Sequence, residues 1–258
     1  MASTDAAQID IAFPDASDLH LKIGVGACRL KVAPGDGVAW VSGTYDHPSS
    51  ALPPRIEQEG GTVTITQERT LAGIGGLLRR APSFDLALGK ARPYMLTLEV
   101  GASESSFDLG GLPIKRLIVK QGAGKVDFDF SSPNPQAMSL LDLDAGAVGM
   151  EMKNLANANF AEMTINGGAA SYKFDFGSRL QRDAHVKITA GLCSVEIDVP
   201  STTAARIISE SVLGGVDVGD GFTRKEGAFC TEAAVTGKAP VLTIDTSISL
   251  GSLLLRTT

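Results

Sequence analysis

The chain has 258 residues, 43% apolar and 20% charged, with 29 Gly but only 5% aromatic side chains. That length is ample for a buried core, and the composition suits many tight turns packed with small residues. A net charge of −6, with no basic run longer than pairs such as Arg79-Arg80, excludes the basic face that nucleic-acid binding needs and disfavours an anionic membrane surface.

No stretch approaches the roughly 20 apolar residues of a membrane span. Residues 1–18 carry Asp5, Asp10 and Asp15 with no early Lys or Arg, so a signal peptide is not expected and a cytoplasmic location is. This segment reads as a loose tail. From Leu19 the pattern changes. Leu19, Leu21 and Ile23 lead into Val25-Gly26, and Cys28, Leu30 and Val32 follow. Alternation of this kind marks strands with one buried face. Val38–Val41, Arg55–Glu57 and Thr62–Ile65 read as further strands, the last two joined at Gly60-Gly61. The stretch Leu71–Arg80 reads as a loop. Its Ile74, Leu77 and Leu78 beside Arg79 and Arg80 form a candidate contact loop. A soft seam near 85–95 then separates an irregular portion, 19–90, from regular coils over 91–200.

The regular part repeats. Four turns, Gly122-Ala123-Gly124, Asp144-Ala145-Gly146, Asn166-Gly167-Gly168 and Thr189-Ala190-Gly191, end on glycines 22, 22 and 23 residues apart (124 to 146 to 168 to 191). Val119, Leu141, Met163 and Val186 each stand five residues before that Gly. Downstream the rows read Val126-Phe128-Phe130, Val148-Met150-Met152, Ala170-Tyr172-Phe174 and Cys193-Val195-Ile197 at every second position. Leu96, Leu98 and Val100 before Gly101-Ala102-Ser103 form an earlier unit. A unit of strand, turn, strand and return loop cannot bury its apolar face alone and must stack on its neighbours. Thr203–Ala239 reads as a wide, Gly-rich outer stretch. Val241–Asp245 and Ile248–Leu253 then close residues 201–256. The expected fold is all-β: a single-stranded, right-handed, parallel β-helix-like stack of about 22-residue coils forming two facing sheets, one domain over 19–256.

The runs Phe84–Leu88, Pro93–Ala102, Phe107–Leu112, Gln121–Gly124, Ile197–Pro200 with Ala205-Arg206-Ile207, and Leu242–Asp245 with Leu250–Leu255 resemble the bacterial toast-rack domains of LiaF-type and phage-shock-type envelope-stress proteins. The pattern is shared by adhesin-like β-solenoids and bactofilin-like polymers. The resemblance covers roughly 19–256. It implies a non-catalytic module that contacts other proteins in membrane-stress systems, and it supplies no catalytic residues. Members are often tethered by membrane helices, and this chain shows none.

The residues themselves offer few sites. Asp127, Asp129, Glu151, Asp175, Glu196 and Asp198 line the outer face of neighbouring rungs, where carboxylates can hold Ca²⁺ or act as acid and base. Lys125 and Lys173 interrupt them, as a solvated face of mixed charge requires. His20, His47 and His185 lack the spacing of a zinc site. Cys28, Cys193 and Cys230 are an odd number without a CxxC pair, which points to buried thiols rather than disulfides. Cys28 and Cys193 occupy equivalent inward slots. Gly73-Ile74-Gly75-Gly76 lacks the preceding strand of a phosphate loop. No catalytic, metal or cofactor residues are assigned, and the chain is not expected to be an enzyme; a β-helix enzyme acting on acidic polysaccharide is the outside alternative. The partner expected is an unidentified protein. The second reading is self-association through open end rungs, with the apolar end Ile248–Leu255 as the sticky edge.

Overall fold

In the computed structural model, residues 5–47, 54–67 and 81–258 are described. Five long strands carry the repeat: β8 (Tyr94–Asp108), β9 (Ile114–Asp129), β10 (Met138–Lys153), β11 (Phe160–Asp175) and β12 (Ala184–Val199). They pair parallel in chain order. Each runs unbroken through its glycine turn, so both halves of a coil belong to one strand. The described strands form a single continuous sheet rather than two separate ones. Inward side chains from both halves of every rung meet in one apolar cluster. Phe107, Phe128 and Phe174 are buried at its centre, and the Phe107 and Phe128 rings lie 4.7 Å apart. The all-β, β-solenoid type of fold expected from the periodicity is therefore present.

The register corrects the repeat at one step. Val119 pairs with Leu143, and Gly124 with Val148. The aligned glycines are Gly101, Gly122, Gly146, Gly168 and Gly191. The steps are 21, 24, 22 and 23 residues (101 to 122, 122 to 146, 146 to 168, 168 to 191). Gly122-Ala123-Gly124 offers two glycines two residues apart, and the sequence alignment takes the second. A two-residue slip keeps every side chain on its own face, so the inward and outward assignments stand. The glycine column has a steric cause. A Cβ at Gly146 would lie 2.3 Å from the Gly122 carbonyl oxygen, and one at Gly122 or Gly168 would lie 2.9 Å from the carbonyl below. At these three rungs the approach at the bend is too close for a side chain; at Gly191 a Cβ would sit 3.6 Å from the carbonyl below, and the column continues as Ser249.

Loops on the return side are pinned by buried amides. Asn134 Nδ2 donates to the carbonyls of Ile114 and Ala158, and Asn157 Nδ2 donates to that of Phe130. These bonds satisfy backbone groups that a buried loop would otherwise strand.

At the N-terminal side the sheet forks. The first half of β8 pairs with β2 (His20–Val25), and its second half with β3 (Cys28–Pro34). β4 (Val41–His47), β5 (Arg55–Glu59), β6 (Thr62–Thr66) and β7 (Ser83–Leu88) extend the two branches. β2 continues to β6 and then to antiparallel β5; β3 continues to β7 and then to antiparallel β4. The expected loose tail is a strand over Asp5–Ile11, β1, antiparallel to β4. Ile9 and Ile11 are buried there, alternating with exposed Gln8 and Asp10, and that short alternation is enough to hold an edge strand.

The C-terminal side departs most from expectation. Residues read as an outer loop form β13 (Ala204–Val218), the hairpin β14 (Phe222–Lys225) and β15 (Ala228–Thr231), and a single helical turn, α1 (Glu232–Val235). The last strand, β16 (Val241–Thr257), does not end the stack. It inserts between β12 and β13, parallel to both. Ile248–Leu255 are therefore interior to the sheet, which overturns their reading as the exposed end rung. β13 holds that place. Local alternation cannot reveal this, because stacking order is not written in the spacing of one strand.

Candidate functional site

The bend of each rung creates two exposed columns. The first is the glycine column itself. Beside it lies a groove of about 670 Å³ running from β6 and β2 to β11, reached by Gln67, Glu99, Lys120, Asp144 and Asn166. Several of its polar groups pair with one another, while the buried Gln121 Oε1 has no partner among the described residues. Lys120 Nζ lies 2.9 Å from Glu99 Oε1, and Asn166 Nδ2 donates to Asp144 Oδ1 at 3.0 Å.

The second column stands one residue past the glycines, and on the last two rungs one past Ser249 and Val212. Register carries it through Ala102, Ala123, Ala147, Ala169, Leu192, Leu250 and Leu213. Over the first four rungs it is alanine; over the last three it is leucine. The leucines face water: Leu192 is 57% exposed, Leu250 49% and Leu213 64%. Val216, three residues on from Leu213, is 38% exposed. The described residues hold only three other exposed large apolar side chains, Val38, Ile56 and Val235, so the apolar surface is concentrated at one end. Sequence reasoning missed this patch. Its signal was the leucine beside the turn glycine in Leu192, Leu213-Gly214 and Leu250-Gly251, where earlier rungs have alanine.

The outer carboxylates are brought together as expected, interspersed with cations. Asp127, Glu151, Lys173 and Glu196 are successive cross-strand neighbours. Lys173 Nζ sits 3.3 Å from Glu196 and 3.9 Å from Asp198. Arg256, arriving on β16, donates Nε to Asp198 at 2.9 Å and also contacts Glu196. Burial pushes the Asp198 carboxyl above its usual range; Lys173 opposes the shift and Asp175 adds to it. Among the described residues no group of three or more His, Cys, Asp or Glu could hold a metal ion.

The remaining candidates are dispersed. His20 Nε2 is 2.8 Å from Thr97 Oγ1, and burial, then Lys22 and Arg116, hold its pKa below the usual value. His185, in the same cross-strand column but five strands further along the stack, meets Asp245 at 2.7 Å, and His47 ends β4. Cys28 and Cys193 share one inward column through Ser103, Gly124, Val148 and Ala170. Burial pushes the Cys28 thiol up to about 12 and raises Cys193 as well, so neither forms the thiolate that reactivity requires. Cys230 is buried and free. The candidate loop Ile74, Leu77, Leu78, Arg79 and Arg80 lies outside the described residues.

No curated protein matches the chain in sequence. In fold it is similar to a candidate cell adhesion protein from Clostridium sporogenes, 16% identical, with a TM-score of 0.57 over 99% of this chain and 100% of that one. A candidate adhesin from Parabacteroides distasonis, 10% identical, aligns over 98% of this chain and 97% of that one at a TM-score of 0.49. At these identities the likeness to the first speaks to fold alone. The family described as the N-terminal domain of toast_rack, DUF2154, matches residues 2–140, more than half of the sequence. With the stacked parallel rungs that this match leads one to expect, the chain belongs to the toast-rack family.

Proposed function

We propose that this chain is a non-catalytic protein-contact module, serving bacterial envelope-stress signalling, and that its contact surface is the leucine column at the C-terminal end of the stack. The observation that carries this reading is the switch from Ala102, Ala123, Ala147 and Ala169 to exposed Leu192, Leu250 and Leu213 along one cross-strand column. Exposed leucines on adjacent strands lose hydration cost when another surface covers them. Family membership supports the role. So does the arrangement of the titratable groups, which are paired with opposite charges or spread over distant rungs.

A photo-crosslinking residue at position 250 tests the proposal in living cells. One discrete protein adduct is expected, lost when Leu192→Asp and Leu213→Asp are introduced. The same probe at exposed Lys22, on the far branch, gives none. Equal adducts at both positions, or none at 250, would overturn it.

A further inference from the structure

We infer that a second copy of the chain pairs antiparallel along the free edge of β13, so that two stacks join end to end and the leucine columns of both copies form one contact surface. This rests on the leucine column being a contact surface, as proposed above. The two ends of the stack differ in kind. At the N-terminal side, β5 is exposed at every residue and carries Arg55, Glu57 and Glu59, the sort of charge that blunts an edge. At the C-terminal side, β15 pairs with β13 only at Arg206 and Ile207. From Ile208 to Val218 no described strand occupies the outer edge. That stretch contains no Lys, Arg or Pro, and only Glu210 and Asp217 are charged.

A twofold axis between Val212 and Leu213 fits this edge to itself. It swaps the two halves of the bent strand, so core-side residues meet core-side residues. Ser209 then faces Val216 of the other copy, Ile208 faces Asp217, and Glu210 faces Gly215. No like charges oppose each other, whereas most registers that bring Glu210 toward Asp217 would repel. The three-leucine columns of the two copies become one continuous strip. Head-to-tail stacking would seat β13 on charged β5 and would grow without limit. The surface is modest, so association in the micromolar range is expected.

Size-exclusion chromatography with light scattering across a concentration series is the test, with Gly215→Lys as the variant. A Cβ at Gly215 meets nothing within 4 Å, so the fold tolerates the change while the edge acquires a charge. The wild type is expected to reach two copies and stop, and Gly215→Lys to weaken pairing more than about tenfold. Ile208→Cys with Asp217→Cys should form a disulfide between copies on oxidation, since the three native cysteines are buried. Growth beyond two copies, or an unchanged dimer in Gly215→Lys, overturns the inference. A strict monomer overturns it too. In that case an adduct to a different protein at position 250 leaves the contact-module reading standing, and no adduct removes both.

Discussion

The two ends of this stack are finished in opposite ways. At one, the chain reverses into antiparallel β1, β4 and β5, and β5, the last strand of one branch, is charged and wet. At the other, the hairpin β14–β15 pairs with β13 only at Arg206 and Ile207, and the rest of that parallel strand is bare, with leucines beside its bend. Both ends terminate the same core, so core packing cannot account for the difference. What differs is whether the edge is made unfit for pairing. A stack that only needed to be soluble would blunt both ends.

Stability measurements can break that comparison. The largest effect is expected in the middle rungs. Phe128→Ala removes a fully buried ring packed on Phe107 and should cost about 3–5 kcal/mol in urea unfolding. Val216→Ala, at the open end and measured at concentrations that keep the chain monomeric, should cost under about 1 kcal/mol. Equal losses would mean that the C-terminal edge is as much core as the centre. The bend gives a sharper contrast. Gly146→Ala drives a Cβ into the Gly122 carbonyl and should cost about 2 kcal/mol. Gly149→Ala, three residues on, meets open space and should be neutral or gain about 0.5 kcal/mol. If both behave alike, steric closeness of the rungs is not what selects glycine there.

The smallest effect is a pH dependence at the blunted end. The folded state lowers the pKa of His20 and so favours its neutral form. The stability this gives is present above the unfolded value near 6.5 and is lost as pH falls through the folded pKa. The wild-type melting temperature should therefore drop further between pH 7.5 and 5.5 than that of His20→Asn. Identical slopes would show that the contact with Thr97 does not couple to protonation.

The rungs were legible in the sequence because alternation at every second residue and a glycine at each bend follow directly from strand geometry. The misplacement of Gly124 for Gly122 left faces intact, since an even slip preserves parity. The strand Asp5–Ile11 was missed because only Ile9 and Ile11 mark it, beside three acidic residues that suggest a solvated tail. The insertion of β16 was hidden for a different reason. Ile244 pairs with both Val186 and Ile207, and nothing local distinguishes an inner rung from a last one. The contact surface lay below notice because Leu192, Leu213 and Leu250 are far apart in the chain and become a column only once that insertion is known.

The place of β16 also sets a timetable. During synthesis β13 is complete at Val218, yet the strand it must lie against does not begin until Val241. At roughly 5–20 residues per second the ribosome leaves β13 without its neighbour on the order of seconds. The vacant slot beside β12 is the same width as a strand, so β13 can dock there early and must then yield it. The nascent chain thus faces a choice of occupants that the finished stack no longer shows, and a chaperone that delays β13 would speed arrival at the final order.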